Sequence, residues 1–258
     1  MTTTTNFVAL GTIVRREVMR ITRIWTQTLI PPAITMTLYF IIFGKVIGSR
    51  VGIIEGGFTY MQYIVPGLVL MSVITNSYGN ITSSFFGAKF GRFVEEMLVS
   101  PMPNWVILSG YIIGAMVRGL CVGTVVLLIA LLFTHLNIVH PLVMLTTAML
   151  TSIVFALAGF VNAVFAKKFD DIALIPNFVL TPLTYLGGVF YSIKDIGEPW
   201  HALSLANPIL YMVNAFRFGV LGISDINLFV AYGMMVLFVF LLGGFGLFLL
   251  RRGVGMRS

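Results

Sequence analysis

Long uncharged, apolar runs divide this sequence, and they constrain its fold more than any other feature. Only 10% of the 258 residues are charged and 58% are hydrophobic, whereas about 25% of the residues in a soluble domain are charged. A bilayer core of about 30 Å is crossed by roughly 20 helical residues, and several runs reach that length. Six candidate spans result: about Trp25 to Ile47, Tyr60 to Tyr78, Trp105 to Phe133, Leu142 to Phe165, Ile172 to Tyr191 and Leu228 to Leu250. The sequence therefore predicts an all-α polytopic membrane protein with six transmembrane helices, and it excludes a water-soluble enzyme.

A shorter apolar run lies between Glu198 and Arg217 and contains the pair Asn207-Pro208. Proline interrupts a helix because it lacks the amide donor and crowds the preceding turn. We therefore expect a re-entrant extracytoplasmic hairpin at about residues 195–217, just before the sixth span. Such a hairpin dips part-way into the membrane where protein or water satisfies its backbone.

The basic residues predict how the chain is oriented. When the loops are assigned to alternate sides of six spans, most lysines and arginines fall on the side of both termini: Arg15, Arg16, Arg20, Arg23, Lys89, Arg92, Lys167, Lys168, Arg251, Arg252 and Arg257. The other side holds Lys45, Arg50, Lys194 and Arg217. By the positive-inside rule, both termini are cytoplasmic. The net charge of +7 is then mainly a topology signal, and because the basic residues form no stripe, no nucleic-acid partner is predicted.

An amphipathic pattern precedes the first span. Apolar and basic residues recur at helical spacing on opposite faces: Leu10, Val14, Val18, Ile21 and Trp25 on one, and Arg16, Arg20 and Arg23 on the other. We expect an interfacial helix at about residues 7–24, with its arginines directed toward the phosphates of membrane lipids. The plain alternative is a cytoplasmic lead-in to the first span.

Residues 84–100 form a second amphipathic segment, between the second and third spans. One helical face carries Phe86, Phe90, Phe93, Val94 and Met97, and another carries Lys89, Arg92, Glu95 and Glu96. Phenylalanines in the cytoplasm need something to bury them. The segment either lies on lipid or docks into a groove on a partner subunit, and periodicity alone does not separate these two alternatives.

Arg118 is the only ionisable side chain deep within a predicted span. It follows Trp105 by about 13 residues, or roughly 20 Å of helix, which places it near the middle of the bilayer. A charge there costs several kcal/mol unless it faces a partner or water. Arg118 shares a helical face with Gly110 and Gly114, where another helix can approach closely. It is either a charge in a transport pathway or a structural arginine bonded to carbonyl groups of a neighbouring helix.

Three further features have simple explanations beside functional ones. The turn Lys167–Asp171 is either a solvated turn or a second contact for a cytoplasmic partner. Aromatic residues near the predicted outer interface form either an aromatic belt or a stacking surface for glycan or lipid: Tyr185, Phe190, Tyr191 and Trp200. The histidines at positions 135, 140 and 201 lack further ligands at plausible spacing, so no metal site is predicted.

The sequence contains no energy source of its own. All acidic residues fall outside the predicted spans, which counts against a proton-coupled carrier. The pair Gly44-Lys45 is followed by Val46 and has Tyr39 where a phosphate-cradling loop needs glycine. No nucleotide-binding domain fits into the remaining polar segments, so residues 1–258 are predicted to form one transmembrane domain. Uphill transport would then require a separate ATPase on the cytoplasmic side, with residues 84–100 as the obvious docking element.

Several stretches together resemble the permease subunits of type-2 ABC exporters. They are the segment from Gln62 to Gly67, the segment from Ser84 to Phe90, the segment from Thr181 to Tyr191, and Asn207-Pro208 through Tyr211 and Arg217. The resemblance covers nearly the whole chain, from about residue 12 to its end. It implies six spans, an interfacial connecting helix at about 7–24, a coupling helix at about 84–100, and a re-entrant hairpin at about 195–217.

The resemblance also implies partners and roles. Two permeases pair as a homodimer in the bacterial inner membrane, and each holds one ATP-binding cassette subunit, which binds ATP and Mg²⁺; this chain would carry no cofactor and catalyse no reaction. The residues expected to contact the ATPase are Phe86, Phe90, Phe93, Glu95 and Glu96, and those expected in the translocation pathway are Arg118, Tyr185 and Asn207. Drugs, lipids and polysaccharides all remain open as substrates. The alternative function is an autonomous anion-selective channel or facilitator in which Arg118 selects anions.

Overall fold

The computed structural model describes residues 3–54 and 57–255; Arg257, one of the basic residues used to predict the orientation, and the acidic residue Glu55 lie outside them. Within these ranges the regular secondary structure is helical, apart from an isolated bridge between Ile53 and Thr59, which confirms the all-α fold class. The helices are α1 (Thr3–Arg23), α2 (Trp25–Tyr39), α3 (Gly48–Val51), α4 (Tyr60–Phe90), α5 (Phe93–Val99), α6 (Asn104–Phe133), α7 (Pro141–Phe165), α8 (Asp171–Ile175), α9 (Thr181–Tyr185), α10 (Trp200–Leu205), α11 (Pro208–Leu221) and α12 (Leu228–Arg252). Two π-helical segments, Phe40–Ile47 and Pro176–Leu180, and a 3₁₀ turn at Ile193–Asp195 complete the described elements.

Five helical segments in the described part of the chain are long and apolar enough to cross a membrane: Trp25–Val51, Tyr60–Phe90, Asn104–Phe133, Pro141–Phe165 and Leu228–Arg252. They begin at or within one residue of the starts predicted from the sequence. The second is much longer than the predicted segment ending at Tyr78, because α4 continues without a break to Phe90. A reciprocal capping box between Thr59 and Gln62 fixes the start of α4.

The predicted fifth span, from Ile172 to Tyr191, is only partly helical. Helices α8 and α9 and the π-helical segment between them form a continuous stretch that ends at Tyr185. At 1.5 Å per residue this stretch is about 22 Å long, short of the roughly 30 Å hydrocarbon core. It ends in a turn at Gly188, whose positive φ of 70° favours glycine. The count of six spans therefore stays a prediction.

The coupling helix predicted at residues 84–100 is wrong in its bounds. Residues 84–90 are the last turns of α4, and only Phe93–Val99 forms a separate helix, α5. Between them, Arg92 adopts the left-handed conformation with φ 61°, which interrupts the helix. The helical spacing of the phenylalanines continues across this break, so periodicity could not reveal it.

The N-terminal helix makes contacts with the protein that its amphipathic pattern did not predict, while its position in the membrane interface stays a prediction. Helix α1 begins at Thr3, and its most buried residues are Ile13, Glu17 and Ile21. It packs against α6, where Gly110 and Gly114 leave room for Ile13 and Glu17. Two of the arginines predicted to face lipid instead donate hydrogen bonds within the protein. Arg16 contacts Tyr111 on α6, and Arg20 contacts Asn80 on α4.

Two short helices form the segment predicted as a re-entrant hairpin. Helix α10 ends at Leu205, and α11 begins at Pro208, where proline occupies the first helical position and needs no amide partner. Helix α11 extends to Leu221, beyond the predicted end at Arg217, and is almost wholly buried. The break at Asn207-Pro208 is thus present, while the re-entrant character of the segment stays a prediction.

Two hydrophobic cores lie along the bundle, and α4 contributes to both. One core centres on Phe85, Tyr111 and Phe160, with the rings of Phe85 and Phe160 4.5 Å apart. The other includes Ile64, Val213 and other residues of α4, α6, α7, α11 and α12. The first core lies at the end of the molecule that carries Arg15 to Arg23, Lys89, Arg92, Lys167, Lys168, Arg251 and Arg252, which we call the basic end.

Candidate functional site

Of the residues predicted to contact an ATPase, one is buried and the others are exposed. Phe86 is 1% exposed and belongs to the core, whereas Phe90 is 66% and Phe93 57% exposed. Glu95 and Glu96 are exposed on α5. A single residue of α5, Val94, is fully buried and fastens this short helix to the core beneath it. The basic end therefore presents two phenylalanines and two carboxylates on a firmly seated helix.

The turn after α7 joins this surface. The ring of Phe169 lies 5.0 Å from that of Phe86 and 5.1 Å from that of Phe90. Lys89 Nζ donates to the carbonyl oxygens of Val164 at 2.6 Å and Ala166 at 2.7 Å, which ties the end of α7 to α4. We call Phe90, Phe93, Glu95, Glu96 and Phe169 the aromatic-acidic surface.

Asp171 organises the turn that carries Phe169. Its carboxylate accepts hydrogen bonds from the backbone N–H groups of Lys167 at 2.8 Å and Lys168 at 2.9 Å. These two bonds, supported by the nearby lysine charges, lower the pKa of Asp171 from its ordinary value. The turn is thus held by specific bonds rather than being only a solvated connection.

A buried carboxylate, Glu17, lies at the centre of a polar network at the basic end. Glu17 is 1% exposed and accepts hydrogen bonds from Ser84 Oγ at 2.7 and 2.8 Å. Arg16 and Arg20 approach its two oxygens at 3.2 and 3.4 Å. Burial is the largest influence on the pKa of Arg20 and lowers it, although the charge of Glu17 opposes that effect. Glu17 therefore neutralises part of the charge on α1 while linking that helix to α4.

The same network extends to two further helices. Arg16 donates to the Tyr111 hydroxyl of α6 at 2.6 Å, and Arg20 donates to the side-chain oxygen of Asn80 on α4 at 2.7 Å. Sequence reasoning missed Glu17 because it placed the acidic residues outside the spans and examined them no further. The sequence does contain a signal that could have identified it: Glu17 is the single acid of an amphipathic helix, with arginines one residue before it and three residues after it.

Arg118 lies at the edge of this network. One of its terminal nitrogens is 3.5 Å from the side-chain oxygen of Asn80, and its Nε is buried with no hydrogen-bond partner. No carboxylate in the described part of the chain is within ion-pair distance of Arg118. The structure therefore supplies a weak side-chain contact, and not the backbone carbonyl groups that the structural interpretation required.

Tyr185 and Asn207, the other residues predicted in the pathway, have contact partners different from that of Arg118. Asn207 is buried; its Nδ2 donates to the carbonyl oxygen of Leu183 at 2.6 Å, and its Oδ1 accepts from the amide of Ile209 at 3.0 Å. Its amide thus fastens the start of α11 to α9. Tyr185 is partly exposed and its hydroxyl is 3.1 Å from that of Tyr39.

Tyr185 belongs to a group of four aromatic rings. The ring of Phe190 stacks on that of Tyr185 at 5.7 Å and is tilted against that of Phe43 at 4.8 Å, and the rings of Tyr39 and Phe43 are 5.6 Å apart. This group joins the first spanning segment to the residues after α9. It is a contiguous aromatic surface of the kind that either an aromatic belt or a stacking site requires.

Arg217 is a functional candidate whose burial the sequence did not reveal. It is 1% exposed, donates from Nη2 to the carbonyl oxygen of Gly188 at 2.6 Å, and lies 3.9 Å from the centre of the Tyr63 ring. It therefore holds α11 against α4 and the turn after α9. The sequence placed Arg217 on the side of the membrane opposite the termini, and it did so only through the count of basic residues on each side.

In the described residues, no three histidine, cysteine, aspartate or glutamate side chains come together as a metal site would require. The three histidines of the sequence belong to separate positions along the chain, at 135, 140 and 201.

Comparison with known proteins gives a consistent result. The family model described as ABC-2 type transporter matches residues 8–221. The chain is 54% identical over 252 residues to the inner membrane transport permease YadH of Escherichia coli K12, and the match covers 98% of both chains. It is also 22% identical to nodulation protein J of Rhizobium leguminosarum bv. viciae over 203 residues, 78% of each chain.

Proposed function

The chain belongs to the ABC-2 type transporter family, and on that premise we propose that it is the permease subunit of an ATP-driven exporter in the bacterial inner membrane. Two copies form a homodimer around the translocation pathway. Two separate ATP-binding cassette subunits dock at the basic end, which faces the cytoplasm, and they bind ATP and Mg²⁺. The relative named YadH is an inner membrane transport permease, and its near full-length match supports the same role and location for this chain.

The aromatic-acidic surface is the observation that carries the coupling part of the proposal. Phe90 and Phe93 expose more than half of their surface next to Glu95 and Glu96, and such a patch favours contact with a protein partner. Because Val94 is buried and Lys89 ties α4 to α7, a force on α5 is transmitted to the spanning helices. Phe86 is buried and acts by supporting this surface.

Charge reversal on α5 tests the proposal. We expect the double variant Glu95→Lys, Glu96→Lys to lose most co-purification with the co-expressed ATP-binding subunit, because exposed interface charges set partner recognition. Glu198→Lys is a control for charge reversal at an exposed acid outside α5. Unchanged yield of the complex for the double variant would contradict the docking assignment.

Arg118 supports a second candidate function, that of an autonomous anion-selective channel or facilitator. The supporting observation is the absence of a carboxylate near Arg118 among the described residues, together with its unbonded Nε. An unpaired charge within a span favours a pathway for anions. This function differs from the exporter in needing no nucleotide.

A further inference from the structure

A cleft of about 710 Å³ opens at the basic end beside α1 and the last turns of α4. Four arginines and one carboxylate line it: Arg15, Arg16, Arg20, Arg23 and Glu17. The cleft exists because α1 packs against α6 at Gly110 and Gly114 and reaches α4 through the side-chain bonds of Glu17 and Arg20.

The charges in this cleft do not balance. Glu17 is the only acid among the lining residues, and it is already shared between Arg16 and Arg20. Arg15 and Arg23 make no hydrogen bond or ion pair with any described residue. A concave site with an excess of positive charge attracts an anion, and the guanidinium fork matches the geometry of phosphate oxygens.

The remaining lining residues indicate that the anion carries a hydrocarbon chain. Arg15 and Arg23 are two helical turns apart, roughly 12 Å. Met19 lies between them on the same face and is 56% exposed, and Phe93 is another exposed apolar residue of the lining. A free phosphate would leave Met19 uncovered, whereas the glycerol and first acyl carbons of a lipid would cover it.

We propose that this cleft binds the phosphate of an anionic phospholipid headgroup, with Arg15 and Arg23 as its direct ligands. Met19 contacts the apolar part of the same lipid, and Phe93 remains part of the aromatic-acidic surface. The site differs from the interfacial arrangement expected for a helix lying on the membrane, since the lipid sits between α1 and α4 and not beneath α1. The proposal is independent of the exporter assignment, because it requires neither a nucleotide nor a partner subunit.

Native mass spectrometry of the full-length chain in detergent, titrated with dioleoyl phosphatidylglycerol, tests this proposal. Arg15→Gln, Arg23→Gln should weaken binding by roughly thirtyfold, the effect of removing two basic residues near an anionic lipid. Arg251→Gln, Arg252→Gln changes the net charge equally at the same end of the molecule but outside the cleft, and it should bind as the wild type does. Equal weakening in both variants would overturn the proposal, since it would indicate only nonspecific attraction.

Two measurements on the wild type complete the test without any variant. Dioleoyl phosphatidylcholine, which has the same acyl chains but no net charge, should bind more weakly than phosphatidylglycerol. Inorganic phosphate at the same concentration should fail to displace phosphatidylglycerol. Displacement by inorganic phosphate would overturn the lipid assignment, and equal binding of the two lipids would overturn the anion assignment.

Discussion

Glu17 shows how one side chain can determine the arrangement at the basic end. It is the buried acid of a helix whose other charged residues are arginines, and it contacts Ser84 on α4 while pairing with Arg16 and Arg20. A buried carboxylate is stable only when its oxygens are fully satisfied, and here three donors satisfy them. Because those donors belong to two helices, the carboxylate fixes the distance between α1 and α4.

Neutralising Glu17 should therefore destabilise the protein. In Glu17→Gln, the two arginines lose the one carboxylate that pairs with them in the described part of the chain. We expect the apparent Tm in detergent to fall by roughly 5 °C, since the arginines are partly exposed and regain some hydration. Thermal unfolding followed by intrinsic fluorescence measures this. Glu198→Gln removes an exposed acid with a single contact at 3.5 Å to His201 and should leave Tm unchanged. Equal Tm values for both variants would show that the network is not structurally important.

At the residue scale, the sequence identified which side chains are unusual but not what they contact. Arg118 and Asn207 were recognised from their positions in apolar runs, yet periodicity does not state which neighbour a face meets. Asn207 caps one helix and holds another, and Arg118 meets the side chain of Asn80. These contacts depend on segments far apart in the chain, so local spacing could not supply them.

At the element scale, the close approach of α1 to α6 is the feature on which the N-terminal arrangement depends. The Cβ atom that alanine would add at Gly110 would lie 2.6 Å from Ile13 Cγ2, and one at Gly114 would overlap the side chain of Glu17. Glycine at both positions therefore allows α1 to pack against the protein. The amphipathic pattern of α1 gave no indication of this contact with α6.

Substitution of Gly114 should separate the two helices. In Gly114→Ala, the added methyl group displaces Glu17 from its bonds, so we expect a lower Tm. Gly233→Ala is a matched control on α12, because nothing lies within 4 Å of the position its Cβ would take. There alanine should be neutral or stabilising by up to about 1 kcal/mol, through its higher helix propensity. A Gly114→Ala protein as stable as Gly233→Ala would contradict the proposed packing.

The ends of the elements illustrate where sequence reasoning succeeds and fails. Span starts were predicted well because they follow changes in hydropathy, as at Trp25 and Leu228. The boundary between α4 and α5 was missed because it depends on the backbone conformation of Arg92, which no hydrophobic pattern encodes. The segment after Asp171 was predicted as a full span, but its π-helical turn and the turn at Gly188 shorten the helix.

At the scale of the whole molecule, the helical bundle contains two regions with different features, the basic end and the second hydrophobic core. The basic end combines the Glu17 network, the arginine-lined cleft and the aromatic-acidic surface. The other core joins α4, α7, α11 and α12, with Arg217 buried beside Tyr63. In the proposed exporter, ATP-binding subunits act on the first region, and the buried helix contacts transmit their motion to the second.

ATP hydrolysis measured on the full-length chain isolated from its native membranes tests the central claim most directly. The account predicts that a nucleotide-hydrolysing subunit co-elutes with the chain, and that the purified chain alone, reconstituted in liposomes, passes no anions. The contrary result would be a chain that elutes without ATPase activity and conducts anions without nucleotide, with a selectivity altered by Arg118→Gln. That outcome would replace the exporter by the anion channel.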